Sequence, residues 1–182
     1  MRIVLIGAPG SGKGTQAKLL EERFDYAHIN MGEILRNSQS HKIHGDRIKR
    51  LIYTGNLLPD DIVEDLLRDA VDGTKNDKIV FDGFPRNESQ LRVLKRIATP
   101  DLLISLYTPT PEKLYERLIT RNRPDDTEEI HRNRISTFYA ETTQMIRHIV
   151  QAGMNIRTLA ADNEIEIIHT EIRKLIGERH ND

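Results

Sequence analysis

Cysteine is missing from all 182 residues, which excludes disulfides, thiolate catalysis and a cysteine-ligated zinc site. Aromatic residues are scarce at 5%, whereas charged ones reach 30%, the balance of a well-solvated surface. Neither charge is in excess: 27 basic against 28 acidic residues give a formal net charge of -1, which argues against a general nucleic-acid binder. Long apolar runs are lacking too. The N-terminal Ile3-Val4-Leu5-Ile6 is far too short for a signal-peptide core or a membrane span. A cytoplasmic protein is therefore expected, with an organellar matrix as the alternative. The seven histidines are scattered; His41 and His44 could share a helical face but have no third ligand nearby, so they read as ordinary surface histidines. No repeat, low-complexity tract or linker divides the chain, which reads as one domain over 1–182.

What is present is an alternation. Short apolar or β-branched runs at Ile3–Ile6, Lys78–Asp82, Leu102–Tyr107 and Asn155–Leu159 predict buried strands, with Ala27–Asn30 as a weaker fifth. Helical patterns fill the intervals: Lys13–Phe24, Gly32–Ser40, Asp46–Tyr53, Asp60–Val71, Glu88–Ile97, Pro111–Asn122, Glu128–Val150 and Glu164–Ile176. Strands alternating with helices predict an α/β fold, a parallel sheet with helices on both faces. Two stretches stand outside a plain crossover. Two short helices fill the interval between Ala27 and Pro59, and a polar loop, Asn122–Thr127, separates two later helices.

The strongest chemical signal is Gly7-Ala8-Pro9-Gly10-Ser11-Gly12-Lys13-Gly14-Thr15, set between a strand and a helix. Glycines let bare N–H groups approach phosphate oxygens, and the helix that follows aims the positive end of its dipole at the anion. Lys13 adds a full charge for the β- and γ-phosphates. The general P-loop pattern has Ser or Thr directly after the lysine; here Gly14 stands there and Thr15 follows.

With Gln16 next, that departure resembles the adenylate kinase family. Met31-Gly32-Glu33-Ile34-Leu35-Arg36 is similar to its Thr-Gly-Asp-hydrophobic-Leu-Arg segment, and Gly55-Asn56-Leu57-Leu58-Pro59-Asp60 to its Gly-x-Leu-Val-Pro-Asp. Asp82-Gly83-Phe84-Pro85-Arg86, with Gln90 four residues on, resembles its Asp-Gly-Phe-Pro-Arg-x-x-x-Gln. Arg117, Arg121, Arg123-Pro124-Asp125-Asp126 and Arg134 follow the order of its lid arginines. The resemblance implies a P-loop NTPase fold with a five-stranded parallel sheet, a helical insertion over 30–59 for a nucleoside monophosphate, and a short lid over 121–133. The implied reaction is reversible transfer of the γ-phosphoryl group of Mg-ATP to AMP, giving two ADP.

Residue roles follow from the same resemblance. Gly10, Ser11, Gly12, Lys13, Gly14 and Thr15 would hold ATP, with Arg117 stacked on its adenine. Met31, Arg36, Leu58, Gly83, Arg86 and Gln90 would hold AMP, Arg36 and Arg86 gripping its phosphate. Lys13, Arg86, Arg121, Arg123 and Arg134 would stabilise the transferring group. Asp82 would orient waters on Mg²⁺, Asp125 and Asp126 would order the lid or touch the ribose, and no zinc is implied. ATP, AMP and ADP are the expected partners of a monomer, with no nucleic acid or membrane. Without the family, clustered arginines read as a solvated surface. Beside a P-loop they suit a reaction carried by positioning and charge stabilisation. A general base is unnecessary, because the attacking phosphate oxygen is already ionised.

Three departures mark this chain. Met31 stands where the family has threonine, Glu33 where it has aspartate, and a single residue separates Arg121 from Arg123. A UMP/CMP kinase shares nearly every motif, but its family pattern has asparagine at the position of Gln90. A regulatory P-loop switch would have no use for the acceptor-side set Arg36, Arg86 and Gln90.

Overall fold

A computed structural model describes residues 1–38, 45–54, 57, 59–120 and 127–178. The strands are β1 (Arg2–Gly7), β2 (Ala27–Asn30), β3 (Ile79–Asp82), β4 (Leu102–Tyr107) and β5 (Ile156–Ala160). All pair in parallel, in the order β2-β3-β1-β4-β5. The helices are α1 (Lys13–Phe24), α2 (Met31–Asn37), α3 (Gly45–Thr54), α4 (Asp60–Gly73), α5 (Glu88–Ile97), α6 (Pro111–Ile119), α7 (Glu128–Thr137), α8 (Thr143–Gln151) and α9 (Ile165–Ile176).

The period of two along each strand sends neighbouring side chains to opposite faces. Val4, Ile6, Ile79, Phe81 and Leu103 enter one core, where Val63 and Leu67 of α4, Leu91 and Leu94 of α5, and Met145 and Ile149 of α8 cover them. Ile3, Leu5, Val80, Leu102 and Ile104 enter the other, under Ala17 and Leu20 of α1 and Ile168 and Ile172 of α9. Both faces being dry, the strands read as unbroken apolar runs rather than alternating ones. Ile48 of α3 packs on Ile62 and Leu66 of α4 in a third, smaller cluster that leaves the sheet untouched.

Several helix starts carry side-chain caps. The Asn30 side chain accepts from the N–H of Glu33, Asn87 from that of Gln90, and Thr127 from that of Ile130. The expected single helix over Glu128–Val150 is interrupted by a π turn, Phe138–Thr142, between α7 and α8. Glu164 is the N-cap of α9 rather than its first residue. The crossover after β1 leaves by α1 on one face, and that after β3 leaves by α5 on the other. Adjacent strands whose connections part in this way open a crevice at their carboxyl ends.

Candidate active site

That crevice holds the glycine-rich loop. Gly10 and Gly12 take left-handed backbone angles, φ +86° and +88°, which an L side chain adopts only under strain. Helix α1 starts at Lys13 with Gly12 as its N-cap, no side-chain cap bond and no acidic residue in its first turn. Its N-terminal amides therefore face the cleft uncapped, the arrangement an anion needs. Lys13 Nζ donates to the carbonyls of Gly7 at 2.7 Å and Ala8 at 2.9 Å. Ser11 is buried and Thr15 exposed, both at the cleft wall. Gly14 also has a structural reason: a Cβ there would lie 3.3 Å from Asp82 Oδ2, so the loop presses against the end of β3.

Asp82 closes β3 in register with Asn30 of β2 and Leu5 of β1. Burial by itself would raise its carboxyl pKa. Proximity to His28, then the charges of Lys13 and Arg86, outweigh burial and hold it below the usual carboxylate range. The His28 Nε2 to Asp82 Oδ2 separation is 3.6 Å, an ion-pair distance and too long for a hydrogen bond, whereas Asn30 Nδ2 donates to the same oxygen at 3.1 Å. Arg86, at the same cleft, sits in the loop after β3. Its Nε donates to Gly83 O at 2.8 Å, its N–H to Gln90 Oε1 at 2.9 Å, and its carbonyl accepts from Thr142 Oγ1 at 2.7 Å. Arg36, Arg117 and Arg134 line the same cleft, which encloses about 1430 Å³. A pocket for one ligand of drug size takes roughly 300–1,000 Å³, so this one suits two.

The sequence-derived set is thus brought together at Gly10, Ser11, Gly12, Lys13, Gly14, Thr15, Arg36, Asp82, Gly83, Arg86, Arg117 and Arg134, all at the cleft wall. Leu58, Arg121, Arg123, Asp125 and Asp126 lie outside the described residues. Two residues of the expected acceptor set, Met31 and Gln90, are buried and do not line the cleft. Met31 is 2% exposed and packs in the core with Ile29 and Phe84, so it underlies Asn30 and Gly32, which do line the cleft. Gln90, also 2% exposed, is absent from the wall, and its carbonyl oxygen holds the Arg86 backbone.

Other cleft residues were not singled out in the sequence. The segment after β5, with Ala161, Asn163, Glu164 and Ile165, forms the wall beside Arg117, whose Nη1 donates to Ala161 O at 2.9 Å. Gln16 ties that segment to α1, donating to Ile165 O at 2.9 Å and accepting from His169 Nδ1 at 3.1 Å. Burial, then Arg23 and Arg173, depress the pKa of His169 and favour its neutral form. Their common signal was position, since the loop after an outer parallel strand ends at the same carboxyl edge as the P-loop.

Among the described residues no group of three or more His, Asp and Glu side chains could hold a metal directly, and no helix is long and apolar enough to cross a membrane. The buried, ionised carboxylate of Asp82 beside a phosphate cradle fits magnesium, which keeps most of its waters and takes few protein ligands.

Comparison with known proteins agrees with this geometry. The family model described as adenylate kinase matches residues 5–154. UMP-CMP kinase 3 of Arabidopsis thaliana is 33% identical over 96% of this chain and 88% of its own length. The adenylate kinase of Oenococcus oeni is 32% identical over 96% and 97%, and that of Prochlorococcus marinus strain MIT 9301 is 34% identical over 94% and 96%. A match that runs from within β1 to just past α8, with relatives aligned almost end to end, takes in both the phosphate cradle and the arginines of the cleft: the chain belongs to the adenylate kinase family.

Proposed function

We propose that the protein catalyses reversible transfer of the γ-phosphoryl group of Mg-ATP to AMP, giving two ADP. The observation that carries this reading is a single cleft lined by a phosphate cradle and by Arg36 and Arg86 as well. A nucleotide switch has no need of that second set. Lys13 and the first-turn amides of α1 orient the triphosphate, and Arg117 with the Ala161–Ile165 segment holds its base end. Arg36 and Arg86 hold the acceptor phosphate, and Gly83 leaves room beside it. Arg134, with Arg121 and Arg123, meets the charge that develops during transfer. Bound Mg²⁺ would neutralise charge between the β- and γ-phosphates, with Asp82 positioning its waters. The segments 30–59 and 121–133 close over the two substrates and exclude water, which would otherwise compete as acceptor. With 27 basic and 28 acidic residues, the surface suits a freely diffusing monomer of the cytoplasm.

AMP is the assigned acceptor because of Gln90, and Leu58 joins the acceptor pocket by the motif it occupies. A glutamine amide matches an adenine edge, which offers the N6 amino donor beside a ring-nitrogen acceptor. A second reading, UMP or CMP as acceptor, draws on the UMP-CMP kinase relative and on Met31, which is turned into the core and has no hydroxyl to offer a base. Steady-state kinetics with Mg-ATP and each of AMP, CMP, UMP and GMP separates the two. Leaving a buried amide short of a partner costs about 1–3 kcal/mol, so AMP should lead in kcat/KM by roughly 5- to 150-fold. Gln90→Ala should erase that lead. A wild-type preference for UMP or CMP overturns the assignment.

A further inference from the structure

The helix that carries Arg134 does something a plain helix would not. From Arg134 onward the residues at the cleft wall are Arg134, Thr137, Phe138 and Thr142. Counted from Arg134, those steps are three, four and eight, where an α-helix repeats at three, four and seven. At about 100° per residue, a seventh step returns to within about 20° of the starting face, and an eighth overshoots it by about 80°. The π turn at Phe138–Thr142 supplies the difference. It absorbs one extra residue without extra rotation, so Thr142 occupies the place that Glu141 would otherwise take. Burial agrees: Glu141 is exposed, whereas Thr142, Met145 and Ile149 are buried at ordinary helical spacing. π turns are rare and recur at functional sites, so the side chain that this one redirects is the place to look.

Thr142 meets Arg86. Arg86 lies between β3 and α5, outside any helix or strand. Its main chain is held by side chains, Gln90 Oε1 taking the N–H at 2.9 Å and Thr142 Oγ1 donating to the carbonyl at 2.7 Å. The hydroxyl is 4% exposed as part of its residue, so water is a poor substitute for it. A carboxylate from Glu141 in that place would set acceptor against acceptor and a negative charge beside the acceptor phosphate.

We infer that Thr142 is a positioning residue for Arg86, and that the π turn exists to bring its hydroxyl to the Arg86 carbonyl on the same helix face as Arg134. The spacing between the arginine that grips the acceptor and the arginine that meets the transferring group is then set by one rigid helix. This rests on reading Arg86 as the acceptor-phosphate grip.

The test compares T142V, which keeps the shape and removes the hydroxyl, with T142S, which keeps the hydroxyl. Thermal unfolding is measured beside steady-state kinetics with Mg-ATP and the preferred monophosphate. Displacing a positioned charge by a fraction of an ångström should raise the acceptor KM by roughly 5- to 30-fold and lower kcat, with the KM for ATP within about twofold of wild type. T142S should stay within about threefold of wild type throughout. If T142V does not fold, T142A carries the same comparison. The inference is overturned if T142V behaves as wild type, if T142S is impaired equally, or if both KM values rise together. Because variant and wild type are compared on one acceptor, the outcome is independent of which base proves best. A wild-type enzyme that phosphorylates no monophosphate would overturn the acceptor reading and this inference with it.

Discussion

Two glycines of the phosphate loop share a backbone conformation and differ in what surrounds them. Gly10 at φ +86° and Gly12 at φ +88° should pay the same backbone penalty on replacement by alanine, about 1–2 kcal/mol for a left-handed L residue. At Gly12 the added methyl meets no atom within 4 Å, so that penalty is the whole effect on stability. At Gly10 the methyl would lie 2.6 Å from the carbonyl oxygen of Leu114 and 3.2 Å from its Cα. Those are helix backbone atoms of α6, which cannot swing aside as a side chain could. Leu114 and Leu118 are at most 1% exposed, so α6 has no slack against the core. Overpacking of this kind adds about 1–3 kcal/mol. Gly10→Ala should therefore lose roughly 2–5 kcal/mol and Gly12→Ala about 1–2. Urea unfolding of both variants beside wild type reads the difference at unchanged m-value. The KM for ATP should rise in Gly10→Ala as well, because α6 carries Arg117. Equal destabilisation of the two variants, within about 0.5 kcal/mol, would refute the close approach of loop and helix as the reason for Gly10.

Lys13→Met should leave the fold intact by circular dichroism and reduce turnover by at least about 10²-fold, since a preorganised charge is lost at a developing negative centre. Near-normal turnover of the folded variant would remove Lys13 from the mechanism. Tyr26 is 2% exposed, and burial, then Glu178 and Asp101, push its pKa up to about 12. The folded state thus favours the neutral phenol: its contribution to stability is complete below the ordinary pKa of about 10 and is lost as pH rises toward about 12. Tyrosinate absorbance should show one of the five tyrosines titrating last, and Tyr26→Phe should abolish that step; an unchanged titration in the variant would show the assignment to be wrong.

The alternation of strands and helices was legible because both faces of the sheet are dry. Ile3–Ile6 and Leu102–Tyr107 are apolar without a break, and each stops where turn residues begin. The caps bond within one turn, Asn87 with Gln90 and Asn30 with Glu33, and formed no part of the sequence reading. The π turn was not legible: one additional residue in a long amphipathic segment changes the register without changing the composition, and Glu128–Val150 reads as continuous helix either way. The burial of Met31 beside Ile29 and Phe84 in the core is something a one-dimensional motif has no means of expressing. The Ala161–Ile165 wall was missed because nothing in its composition is unusual; only the sheet order places it beside the P-loop.

Three cations at the cleft wall are oriented by backbone carbonyls. Lys13 holds its position through the carbonyls of Gly7 and Ala8, Arg86 through that of Gly83, and Arg117 through that of Ala161. These acceptors are peptide dipoles, which fix a side chain yet offer only part of a negative charge. A phosphate oxygen makes a charge-assisted bond roughly twice as strong as a neutral one, so an arriving nucleotide can take these donors over. Carboxylates in the same places would have held the cations against exchange, and separating each pair would have consumed much of the binding energy. Buried Asp82 occupies the end of β3, where His28, Lys13 and Arg86 together hold its carboxyl below the usual carboxylate range. A peptide carbonyl can thus orient a cation before the nucleotide arrives and still yield it to a phosphate oxygen.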